Sequence, residues 1–171
     1  MSRAFVREPD GEAVGDDAPE LPVSPHPNRV TPRGLARLRA ELESLAARRR
    51  ALAEAADLVA ARLGLLSVER RMRYLTKRID SAIVQEPGDQ PRDRVGFGAT
   101  VEVLDADGAE HRFVIVGEDE ADPARGLIGW VSPLARALLD GEVGDEVRWR
   151  RPKGDTTLEI VRIGYDQGEA T

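Results

Sequence analysis

Two apolar series that are out of phase with each other constrain this chain more than any other feature. Leu35, Leu38, Leu42, Leu45 and Leu52 follow steps of three and four, with Arg49 interrupting the series. A second series runs through Leu58, Ala61, Leu65, Val68, Met72, Leu75, Ile79 and Ala82. Such steps mark the contact seam of a coiled-coil helix. Continuing the first series would reach Ala56 and Val59 rather than Leu58, so one unbroken helix does not fit. Residues 31–84 therefore predict two antiparallel helices joined by a turn near Glu54–Leu58. Each arm would hold about 25 residues and reach roughly 37 Å at the α-helical rise. Thr31 is placed to cap the first helix, with Pro32 at its first position, where a missing N–H costs nothing. Gly64 is a competing turn, since glycine commonly ends helices. That choice gives unequal arms and sets Leu63, Leu65 and Leu66 at an exposed tip, so the earlier turn is preferred.

The period changes to strands from Val95. Ala99–Leu104 and His111–Val116 read as a hairpin about the turn Asp105-Ala106-Asp107-Gly108. Leu127–Val131, Glu146–Arg151 and Thr156–Tyr165 supply three more strands, and Ser132 caps a short helix that begins at Pro133. The expected class is α+β, a coiled-coil hairpin followed by a small antiparallel sheet with one short helix. The expected divisions are a disordered acidic, proline-rich tail over 1–29, a hairpin over 30–86, and a linker over 87–94. The sheet domain spans 95–166 and a tail spans 167–171.

Charge is segregated along the chain. Residues 1–30 carry −3, residues 31–84 carry +6 and residues 85–171 carry −9, within a net charge of −6. A basic hairpin between acidic ends does not suit a general nucleic-acid binder, which needs a basic whole domain. It suits a projecting cationic element that meets phosphates or acidic protein locally. Zero cysteines remove disulfides and thiolate chemistry. His26 and His111 stand too far apart for a zinc pattern, and His111 on a strand reads as structural. There is no run of eighteen apolar residues and no signal-type opening, so a membrane role is not expected and the cytoplasm is the expected compartment.

Several motifs occur in a fixed order. Val30-Thr31-Pro32-Arg33-Gly34-Leu35 opens the first helix, and RRMRYLTK at 70–77 lies in the second. FGATVEV at 97–103, HRFVIVGEDEAD at 111–122, SPLARALL at 132–139 and the Val143-Gly144-Asp145 turn follow. Together these resemble the bacterial GreA/GreB transcript-cleavage elongation factors, with the GreB branch nearest at 70–77, over residues 30–165. The resemblance implies an FKBP-like C-terminal domain that docks at the rim of the RNA polymerase secondary channel. It also implies a coil that enters the channel and carries tip acids which help hold a catalytic Mg²⁺. The factor itself is then no enzyme, because the polymerase hydrolyses the RNA. Magnesium needs oxygen ligands, and one or two carboxylates beside substrate phosphates suffice. Mg²⁺ shared with the polymerase is the one cofactor implied.

At the tip the sequence departs from the family pattern of acid, two residues, Glu-Asn-Ala, acid, Tyr. Laid ungapped on Arg50–Leu58, only Glu54, Ala56 and Asp57 match. Arg50 replaces the preceding glycine, Ala51 the first acid, Ala55 the asparagine and Leu58 the tyrosine. The hairpin is also several helical turns shorter than the family's.

Glu54 and Asp57 are the metal candidates, and two solvated acids at a helix start are the plainer reading. Arg48, Arg49 and Arg50, with Arg62 nearby, are candidates for holding nascent RNA phosphates, against a solvated charge run. Ser132 and Pro133 are the polymerase-docking candidates, and helix capping accounts for them as well. The acidic run Glu118–Asp122 reads as a solvated loop or as a steering element. A monomer is expected.

The main reading is a Gre-like elongation factor bound at the secondary channel, either supporting transcript cleavage or occupying the channel without it. A peptidyl-prolyl isomerase is the rival from another class. It fits poorly, because the sheet domain's five aromatics, Phe97, Phe113, Trp130, Trp149 and Tyr165, are needed for a core. A coiled coil that self-associates through Leu63, Leu65 and Leu66 is a third.

Overall fold

A computed structural model describes residues 19–151 and 154–165. Helix α1 spans Pro32–Ala53 and α2 spans Leu58–Asp80. Thr31 holds extended backbone and its hydroxyl accepts from the Gly34 N–H at 2.9 Å, which fixes where α1 begins. The turn falls at residues 54–57, and Asp57 opens α2 by accepting from the Val59 and Ala60 N–H groups, each at 3.1 Å. Gly64 lies inside α2. A Cβ there would come within 3.1 Å of the Leu52 methyls, so this glycine admits the end of α1 to close packing and terminates nothing.

Leu38, Ala61, Val68 and Leu75 form the buried part of the helix–helix seam. Arg49–Glu69 and Arg71–Glu41 tie its flanks, both at 2.7 Å. Exposed pairs of this kind contribute at most about 1 kcal/mol each, so apolar burial holds the arms together. Leu58 departs from the expected seam: it is 77% exposed, because the helices meet only from Ala61 onward.

The second half is built on β3 (Thr100–Asp105), β4 (Glu110–Val116), β5 (Leu127–Gly129), β6 (Glu146–Trp149) and β7 (Thr156–Gly164). Two short strands, β1 (Arg29–Val30) and β2 (Ile83–Val84), pair in parallel at the hairpin base, and helix α3 covers Pro133–Leu138. The five-stranded sheet runs β5-β4-β3-β7-β6. Four strands are antiparallel, as expected, but β5 lies parallel to β4 and makes the sheet mixed. Residues 117–126 cross over through two 3₁₀ turns, Glu118–Glu120 and Pro123–Arg125, so the chain re-enters in the same direction, which a tight hairpin cannot do. One face of the sheet packs Val101, Val103, Ile115, Leu158 and Ile160 against Leu134, Ala135 and Leu138 of α3.

Residues 19–28 run beside α2. Glu20 pairs with Arg73 at 2.8 Å, and buried Asn28 donates to the Arg78 carbonyl at 2.6 Å. The rest of the expected N-terminal tail, residues 1–18, lies outside the described residues, as does the C-terminal stretch from 166.

The largest departure from the sequence reading is the acidic run. Glu118, Asp119 and Glu120 form the joint between hairpin and sheet. Arg78 is 2% exposed and its Nε donates to Asp119 at 2.6 Å, with Glu118 at 3.9 Å. The Tyr74 hydroxyl donates to the other Asp119 oxygen at 2.6 Å, and Arg37 donates to the Asp119 carbonyl. Glu120 accepts from the Thr31 and Gly117 N–H groups, both at 3.1 Å, and from the Thr31 hydroxyl. A carboxylate at a helix N-terminus is favoured by the macrodipole, and one buried with its acceptors filled avoids the desolvation penalty of an orphan.

Candidate functional site

The candidate residues fall in two places joined by the two-helix hairpin. Glu54 and Asp57 occupy the turn at the far end, and both are exposed. They stand about 33 Å from the start of α1, given its 22 residues and the helical rise. One Asp57 oxygen is taken by the two N–H groups it caps. Glu54 closes α1 with its backbone N–H bonded to the Arg50 carbonyl at 3.3 Å, leaving its side chain in solvent. No group of three or more metal-ligating side chains comes together among the described residues. The turn fits Mg²⁺ only as a contributor of one or two carboxylates to a shell completed by another molecule.

The sequence reading exposed Leu63 only with a turn at Gly64, and it missed the exposure of Leu58 and Val59 beside the turn at residues 54–57. Leu58, Val59 and Leu63 are 77%, 75% and 63% exposed around the two acids. Leu58 heads the second apolar series, but it and Val59 precede Ala61, where α2 first becomes buried, and so they have nothing to pack on.

Arg48, Arg49 and Arg50 are all exposed near the end of α1 but are not equivalent. Arg49 is committed to Glu69, which holds its guanidinium across the two helices. Arg50 lies in the last turn of α1, where the helix dipole favours a cation. Arg48 and Arg50 have no ion pair among the described residues.

Ser132 and Pro133 lie at the other end, on the sheet domain. The Ser132 hydroxyl accepts from the Ala135 N–H at 3.2 Å and Pro133 occupies the first helical position, so capping is realised. Their neighbour Trp130, counted from sequence only toward the core, is half-buried and stacked upon. The Arg29 guanidinium lies 4.7 Å from its ring centroid and the His26 ring meets it edge-on at 6.1 Å. The segment before α1 therefore braces the loop that carries Ser132. Cation–π stacking of this kind contributes on the order of 0.5–1 kcal/mol at exposed sites.

His111 lies where its strand position predicts a structural role. Its Nε2 meets Asp105 at 2.9 Å and its ring stacks on Phe113. The His111 contact, followed by the Ala109 N–H, holds the Asp105 carboxyl below its usual range. At the joint, burial and then the hydrogen bond to Asp119 push the Tyr74 phenol up to about 12.

Residues 90–165 match the family described as transcription elongation factor GreA/GreB, C-terminal. The chain is 37% identical over 153 residues to the transcription elongation factor GreB of Neisseria meningitidis, covering 81% of this chain and 94% of that one. It is 41% identical over 116 residues to GreA of Nautilia profundicola, covering 67% and 72% of the two chains. Among solved structures it is similar to GreA factor homolog 1 of Thermus thermophilus, with 26% identity, coverage of 81% and 99%, and a TM-score of 0.39. With a hairpin and sheet in the expected order and such identity along nearly the whole of a GreB, the chain belongs to the GreA/GreB family of transcription elongation factors.

Proposed function

We propose that this protein is an accessory elongation factor that docks on RNA polymerase through the sheet domain around Ser132 and Pro133 and extends its hairpin into the secondary channel. The observation that carries this reading is the joint. Arg78, Asp119 and Glu120 fix the rod to the sheet domain, so docking one end sets where the tip lies. A floppy link would spread the tip over many positions and weaken any action at a distance. In this reading the factor acts as a monomer and Arg48 and Arg50 meet phosphates of the nascent RNA. Glu54 and Asp57 would add carboxylates to a Mg²⁺ of the polymerase, which supplies the activated water and steadies the leaving oxygen.

A second reading has the rod occupy the channel and regulate elongation without supporting cleavage. It is favoured by the Asp57 oxygen already spent on capping and by the apolar surroundings of the tip. Backtracked polymerase complexes with labelled RNA and Mg²⁺ separate the two. Shortened, re-extendable transcripts that disappear with Glu54→Ala/Asp57→Ala assign cleavage to the tip. Intact RNA with clear complex formation assigns the second reading, and no binding to polymerase overturns both.

A further inference from the structure

A cleft of about 330 Å³ opens where the start of α1 faces β4 and β5. Four arginines from three elements line it: Arg33 and Arg37 from α1, Arg112 from β4 and Arg125 from the turn before β5. Strand alternation brings Arg112 there, since Phe113 and Ile115 pack with the core and their neighbours face the other way. The one carboxylate in the lining, Glu120, is 7% exposed and already engaged with Thr31 and Gly117. Arg37 spends a donor on the Asp119 carbonyl. Arg33, Arg112 and Arg125 have no ion pair among the described residues. Pro87, Val114 and Leu127 add apolar lining, and Thr100 lines the cleft as well.

Four like charges around one concavity repel each other, and a chain of net charge −6 has acids enough to neutralise them. The cleft thus presents an unfilled demand for an anion, with apolar side chains in the same lining.

We propose that this cleft binds a nucleoside di- or triphosphate, with the phosphates among the arginines and the base against the apolar side chains of the lining. Guanidinium forks match phosphate oxygens two at a time and also stack on planar rings. The volume lies at the lower end of the roughly 300–1,000 Å³ typical of small-molecule sites. Because α1 and the sheet both contribute, a bound nucleotide braces the hairpin against the sheet beside Glu120.

Titration calorimetry of the whole protein with ATP, and separately with pyrophosphate, tests the assignment. The expected result is saturable one-to-one binding of ATP, with pyrophosphate about tenfold weaker for want of the base. Arg112→Gln/Arg125→Gln, and independently Arg33→Gln, should each weaken ATP binding by about tenfold or more, the scale of lost charge-assisted hydrogen bonds. Arg39→Gln, on α1 but outside the cleft, should change it little. Unfolding midpoints measured without nucleotide confirm that each variant is folded. Absence of saturable ATP binding, or an equal loss with Arg39→Gln, overturns the site, and equal affinity for pyrophosphate overturns the place given to the base.

Discussion

Gly34 lies so close to Glu120 that a Cβ at position 34 would stand 2.1 Å from the Glu120 carboxyl carbon. A residue in the first turn of the hairpin is thereby matched to an acid 86 positions later in the sheet domain. Ordinarily a helical glycine is a weakness of roughly 0.5–1 kcal/mol relative to alanine. Here the missing side chain leaves room for the carboxylate that closes the joint.

Gly34→Ala should therefore destabilise the protein although it improves helix propensity. Pushing the Glu120 carboxylate aside costs at least one of its charge-assisted hydrogen bonds, about 1.5–3 kcal/mol, which outweighs the propensity gain. Denaturant unfolding should show a net loss of about 1–2 kcal/mol. Glu120→Gln should lose stability too, and adding Gly34→Ala to it should cost less than in the parent, because the two residues share one contact.

The joint also predicts behaviour at high pH. The folded state keeps the Tyr74 proton up to about pH 12, whereas an unfolded tyrosine loses it near pH 10. The unfolded chain thus binds fewer protons above pH 10, so this contribution is complete below that pH and is lost as pH rises toward 12. The chain has two tyrosines, Tyr74 and Tyr165, so Tyr165→Phe leaves Tyr74 alone in an ultraviolet titration of the phenolate. Its midpoint should lie well above 10, and Asp119→Asn should lower it by removing the second cause.

Capping at α3 and the docking proposed there can be separated. Ser132→Ala should cost about 1 kcal/mol of stability through the lost cap. Pro133→Asp, at an exposed first helical position that suits an acid, should leave stability nearly unchanged. It should nevertheless weaken polymerase binding by tenfold or more, as expected of a central interface position. Equal binding by Pro133→Asp and the parent would remove this surface from the docking reading.

Much of the hairpin was legible because its signals are local. Two leucine series in different phases needed a turn between them, and Asp57 had both the chemistry and the position to cap the second helix. Gly64 misleads only when a glycine is taken as a stop, and its actual neighbour is Leu52 on the other helix. The joint was not legible for the opposite reason. Asp119 meets Tyr74 and Arg78 across 45 and 41 residues, and Glu120 meets Thr31 across 89, so in sequence they form only a hydrophilic run. Arg78 reads as one more basic residue in a basic helix, and nothing local says that it is buried. The two-residue strands β1 and β2 are too short for any period to show.

If the sheet domain docks as proposed, the hairpin tip lies inside the polymerase. The chain has no cysteines, so Ala56→Cys places a single photo-crosslinker in the tip turn. Mapping its crosslinks in a backtracked elongation complex is the most direct test. With the tip so placed, crosslinks form to the extruded 3′ RNA and to polymerase segments lining the channel, and they are lost together when the docking surface is disrupted by Pro133→Asp. Crosslinks confined to the outer surface of the polymerase, or unchanged by Pro133→Asp, would contradict that placement.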